Sequence, residues 1–94
     1  MGVVTAAHIQ VTLAPALLRL YPDAPSRLDI EAPTVGALIA VLDTRWPGMG
    51  HMLADERPAL RRHINVFVAG ARATLDTPLA PGAQVHILTS VSGG

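Results

Sequence analysis

The chain closes on TSVSGG, residues 89–94, and the group this end offers to chemistry is the main-chain carboxyl of Gly94. At roughly 3.3–3.7 its pKa makes it an anion at neutral pH and a poor electrophile, so it must be activated before a nucleophile can add. Without a Cβ, Gly93 and Gly94 can lie flat in a narrow channel. Six residues from Thr89 onward extend roughly 20 Å, enough to carry the carboxyl into a partner while the body stays outside. A closing Gly-Gly pair arises by chance in about 0.5% of chains, so the residues upstream must decide whether this one is more than a frayed end.

The side chains offer few rivals to that carboxyl. Cysteine is absent, which removes disulfides, thiolate metal ligands and cysteine nucleophiles. All seven bases are arginine and there is no lysine, so no ε-amine can take an acyl group. No glycine-rich phosphate loop, carboxylate pair or nucleophile-base couple is present, and the chain reads as a protein substrate, not an enzyme.

Ninety-four residues, 50% of them hydrophobic, suit one small domain with its own core. Seven acids balance seven bases, which gives no electrostatic grip on nucleic acid or an anionic membrane. MGVVTAAH has no basic leader region, Ala6 stands where a myristoylation signal needs Ser or Thr, and no stretch is long enough to span a bilayer. A soluble, cytoplasmic protein is expected, with residues 1–7 flexible, a folded domain over 8–89 and a flexible tail over 90–94.

The elements that must hold this tail are legible as periodicities. HIQVTL alternates Ile9, Val11 and Leu13 with polar residues and reads as a first strand. Three prolines make APALLRLYPDAPS an irregular connection with room for one helical turn. RLDIE is a second strand with Leu28 and Ile30 inward. Thr34 is placed to cap a helix over VGALIAVLDTR, whose core stripe is Val35, Leu38, Ile39, Leu42 and Trp46, and Pro47-Gly48 stops it. The opposite side of that helix, with Val41 and several alanines, is less polar than a solvent face normally is.

GMGHMLADERPALRR holds breakers and most of the charge and is expected to be a surface loop with a short helical turn. HINVFVAG is a third strand ending in a turn at Gly70. ATLDTPL is expected as a short edge strand, Pro81-Gly82 as a type II turn, and QVHIL as the last strand with Val85 and Ile87 inward. Two hairpins with a helix across one face, joined by a right-handed crossover, leave the first and last strands adjacent and parallel at the centre. The fold class is α+β: a ubiquitin-like β-grasp, a mixed sheet of about five strands under one main helix.

These residues resemble the MoaD/ThiS group of sulfur carriers. The likeness rests on the helix start APTVGALIAVL, the PG turn, the V-x-I-L strand and the closing VSGG, and it spans residues 8 to 94. IQVTLAPALLRLYP and RRHINVFVAG look more like the actinobacterial carrier of cysteine biosynthesis than like the molybdopterin synthase small subunit. Thr89 departs from the proline common before the tail, and VAG from the usual VNG or VND hairpin. The resemblance implies that an adenylating enzyme similar to ubiquitin-activating enzymes spends ATP on the Gly94 carboxyl. A sulfur donor then leaves a thiocarboxylate, and a biosynthetic enzyme accepts the sulfur, with a PLP-dependent cysteine synthase as one candidate. No cofactor is expected on the chain itself. A molybdopterin synthase small subunit and a ubiquitin-like protein modifier remain the alternatives.

In that scheme Gly94 carries the sulfur, while Gly93, Ser92 and Val91 thread the tail into the partner. Alternation turns Phe67, His86 and Leu88 onto the sheet face away from the helix, the face on which relatives dock their partners. His8, His63 and His86 are expected on that same face, but no carboxylate joins them and a metal site is set aside. Arg61 and Arg62, with Asp55 and Glu56, read as a solvated loop, with partner recognition as the alternative. Asp76 and Thr77 read as turn residues.

Overall fold

The computed structural model describes residues 8–57 and 59–89, so the flexible segments expected at 1–7 and 90–94 lie outside the described residues. Alternation in the sequence becomes five strands: β1 (His8–Leu13), β2 (Arg27–Glu31), β3 (Ile64–Val68), β4 (Ala71–Arg72) and β5 (Gln84–Thr89). They lie in the order β2-β1-β5-β3-β4. β1 pairs antiparallel with β2 and parallel with β5, while β3 runs antiparallel to both β5 and β4. The first and last strands are therefore the parallel pair inside the sheet, as the crossover rule requires.

Helix α2 (Val35–Arg45) supplies the cover. The Thr34 hydroxyl accepts from the Ala37 amide at 3.1 Å, which satisfies one of the donors orphaned at a helix start. Val35, Leu38, Ile39 and Leu42 are buried against the inward residues Ile9, Val11, Ile30, Ile64, Val66, Val85 and Ile87. Each such side chain contributes about 1.5–3 kcal/mol by leaving water. Trp46 follows the last turn, half-buried against this core. Ala37 and Val41 also pack partly against it, so the side of α2 that looks too apolar for solvent is in part a flank of the core.

Two connections are more ordered than their composition suggests. α1 (Pro15–Leu20) follows β1, with Pro15 in the first turn, where its missing N–H costs nothing, and Leu17 buried. α3 (Met49–Leu53) is the short helical turn expected in that stretch, but its core-facing side does not lie at the surface as expected. Met49 and Leu53, one helical turn apart, are both fully buried, and this correction is owed to packing that the surrounding charges conceal. Asp43 anchors the start of α3: its Oδ1 accepts from the Gly48 amide at 3.1 Å and the Gly50 amide at 2.9 Å.

The edge strand expected over ATLDTPL lies elsewhere. β3 turns back through Ala69 and Gly70, both at positive φ (50° and 85°), so this two-residue loop is a type I′ turn and β4 follows at once as Ala71–Arg72. The Ala73 amide still donates to the Val66 carbonyl at 2.8 Å, but the chain then leaves the sheet. The carbonyls of Leu75 and Thr77 accept from the Gly36 and Val35 amides, at 2.9 and 3.1 Å. Segment 73–79 thus serves the unsatisfied N–H groups at the start of α2, and an edge ladder could not do both. The turn expected at Asp76-Thr77 is present, with the Thr77 hydroxyl accepting from the Thr74 amide at 2.9 Å. Pro81-Gly82 forms the type II turn before β5: Gly82 stands at φ 82° and the Ala83 amide donates to the Ala80 carbonyl at 3.0 Å.

Candidate functional site

Everything at the end of the chain hangs on β5. Val85 and Ile87 point into the core with no exposure, and this fixes Gln84, His86 and Leu88 on the opposite face. In register, His86 lies across from Phe67 on one side and Thr12 on the other, and Leu88 lies across from Asn65. Phe67 is half-buried, His86 is exposed, and Leu88 is one of two large apolar side chains left well exposed among the described residues, at 42%. The structure brings together the three residues singled out for docking on adjacent strands of the uncovered face.

Two neighbours on this face were not foreseen. Arg72 lies across from Phe67, and its Nη2 donates to the Asn65 side-chain oxygen at 3.0 Å. Asn65 could have been found, because it shares the outward parity of Phe67. Arg72 could not, since its register depends on the length of the Ala69-Gly70 turn. On the β1–β2 side the face turns polar, with Gln10, Thr12, Arg27, Asp29, Gln84 and His86 around a shallow depression.

The histidines do not converge. His8 lies 3.9 Å from Glu31 at the far end of β1, four residues and roughly 13 Å from the Thr12 position that faces His86. His63 precedes β3 and is exposed. Among the described residues no group of three or more ligating side chains could hold a metal ion.

The charged loop is partly built, not merely solvated. The Arg57 guanidinium donates to Asp55 Oδ2 at 2.6 Å, and the Arg57 and Ala59 amides donate to its Oδ1. These bonds, the Arg57 side chain foremost, hold the Asp55 carboxyl at about 2, below the ordinary 3.8. Arg61 is tied to α3 through Nε to the His51 carbonyl, while Arg62 and Glu56 are exposed. At the end of β5, Thr89 pairs with Ile64, two positions past Arg62. Val91, Ser92, Gly93 and Gly94, the residues expected to thread and carry, lie outside the described residues.

Known proteins share both the fold and the sequence pattern. The sulfur carrier protein CysO of Mycobacterium tuberculosis is 29% identical over 86 residues, covering 85% of this chain and 92% of the relative. The crystal structure of the Amycolatopsis orientalis BexX/CysO complex matches with a TM-score of 0.79 at 27% identity, over 92% of this chain and 99% of that one. SAMP1 from Haloferax volcanii matches with a TM-score of 0.78 at 23% identity, over 94% and 100%, a likeness of fold. The ubiquitin-like β-grasp expected from the periodicities is thus the fold of the molecule. The ThiS family model matches residues 20–94, from the end of α1 through the closing glycines, and the chain belongs to the ThiS family.

Proposed function

We propose that this protein is a sulfur carrier in which the Gly94 carboxyl is the working group and the β-grasp body is the handle that presents it. The observation that carries the reading is the joint placement of β5, locked between β1 and β3, and the Gly-Gly pair that follows it within the matched family segment. An adenylating partner joins the carboxylate to ATP, forming a C–O–P acyl-adenylate and releasing pyrophosphate. Sulfide released by a donor attacks the acyl carbon, AMP leaves with the C–O bonding pair, the sulfur's proton goes to solvent, and a thiocarboxylate remains. Its sulfur is the nucleophile delivered to a biosynthetic acceptor. Likeness to CysO favours an acceptor that makes cysteine, a PLP-dependent synthase acting on an activated serine.

The chain's own residues supply reach and recognition. Val91 and Ser92 span the distance from β5, Gly93 passes the narrowest point, and Phe67, His86 and Leu88 dock the partner's surface. The chain binds no cofactor in this scheme, ATP being consumed by the partner, and the work is done in the cytoplasm. Among the described residues no helix is long and apolar enough to cross a membrane.

The test is to incubate the full chain and a version lacking Gly93 and Gly94 with ATP, sulfide and an adenylating enzyme that accepts CysO-type carriers. The full chain should gain sulfur in place of oxygen, and the shortened one should gain none. Methionine oxidation nearly matches that mass change and the chain has three methionines, so fragmentation must locate the change at Gly94. Equal loading of both chains would overturn the proposal.

A further inference from the structure

Beyond the tail and the open face, a groove runs around the outer edge of β3. Its lining includes Leu60, Arg61, Arg62, Ile64, Arg72 and Leu75, and it exists because β4 is only two residues long. The Ala69 amide donates to the Gln84 carbonyl, so residues of that parity face β5, while Ile64 and Val66 turn their main-chain groups to the outer edge. Ala73 takes the Val66 carbonyl and then the chain departs to α2. The Ile64 carbonyl and the Val66 amide carry no backbone hydrogen bond of the ladder kind among the described residues. This is a short length of open sheet edge, the geometry that accepts an added strand.

The charges around it say what kind of strand. Among the described residues the close contacts between a basic side chain and a carboxylate are His8–Glu31 and Arg57–Asp55, so none of the described carboxylates lies within 4.0 Å of Arg61, Arg62 or Arg72. Asp76 is the single acid on the lining among the described residues. In a chain of zero net charge, three guanidiniums on one groove with no carboxylate partner among the described residues are a local excess of positive potential, even though Arg61 and Arg72 each donate to a neutral oxygen. Half-buried Leu60 and Leu75 give the groove apolar walls, which suit alternating side chains of a peptide better than a sugar-phosphate backbone. We propose that this groove binds an extended, acidic segment of a partner protein, added as a strand along β3 with its carboxylates on Arg62 and Arg72. The site is independent of the tail chemistry and should work equally in a chain lacking the last two glycines.

The test is a titration of the 15N-labelled full chain with a synthetic peptide alternating glutamate and valine, beside its lysine-valine counterpart and a short DNA duplex. The acidic peptide should shift the amides of Ile64 to Val66 and Arg72 to Leu75, and the lysine peptide should not. Arg62→Glu with Arg72→Glu should weaken binding about tenfold or more. Arg62→Gln with Arg72→Gln, which adds no repulsion, should give a smaller loss, and unchanged amide dispersion in both variants shows that the fold is kept. Shifts centred on His86 and Leu88, equal binding of the lysine peptide, tighter binding of the duplex at the same amides, or no response would each overturn the proposal.

Discussion

Ala69 stands at φ 50° in a type I′ turn, a position where a Cβ crowds the following carbonyl and asparagine or glycine is preferred. Ala69→Asn should therefore stabilise the protein by about 1 kcal/mol, read as a higher urea midpoint at unchanged slope. No gain would mean the turn relaxes around alanine. The Asp55–Arg57 pair makes a prediction of opposite kind. A carboxyl whose folded pKa is depressed to about 2 from 3.8 adds stability above pH 3.8 and loses it as pH falls toward 2. Asp55→Asn should flatten the acid limb of the stability profile in that window, and an unchanged profile would contradict the assignment. Of these residues, sequence showed only part. Outward parity placed Phe67, His86 and Leu88, whereas Asp43 and Arg61 act on main-chain groups brought near by a turn, which no side-chain pattern records.

At the scale of elements, α3 is the piece most dependent on one contact. Five residues are too few to hold a helix by propensity, and α3 stands on the burial of Met49 and Leu53 and on the Asp43 carboxylate at its start. Asp43→Ala removes two charge-assisted bonds and should cost about 2 kcal/mol, with faster hydrogen exchange at Gly50 and Ala54. A loss confined to a few tenths would show that burial alone holds α3. The long elements were legible because their periods are strong: α2 and the four strands of five or six residues fall where alternation and the 3.6-residue stripe put them. β4 and segment 73–79 were not. Which hydrogen-bond acceptor that segment serves is decided by the helix start it meets, and that meeting is a tertiary event.

For the whole molecule, one face of the sheet is spent on α2 and the core, and no helix among the described residues covers the other, the face proposed for docking. Leu88→Asp, at an exposed position on that face, should change folding stability by less than about 0.5 kcal/mol while weakening capture by the adenylating partner about tenfold or more. Unchanged capture would move the docking surface off this face. The central parallel pair has a mechanical corollary. β5 pairs with β1 over Gln84–Ile87 and with β3 over Val85–Thr89, so both ladders overlap along most of the strand. In the proposed scheme, an enzyme that draws the glycine end into its channel would pull along the axis of β5, and the load would fall on both ladders in shear instead of peeling them rung by rung. The body can be held taut by its end without coming undone.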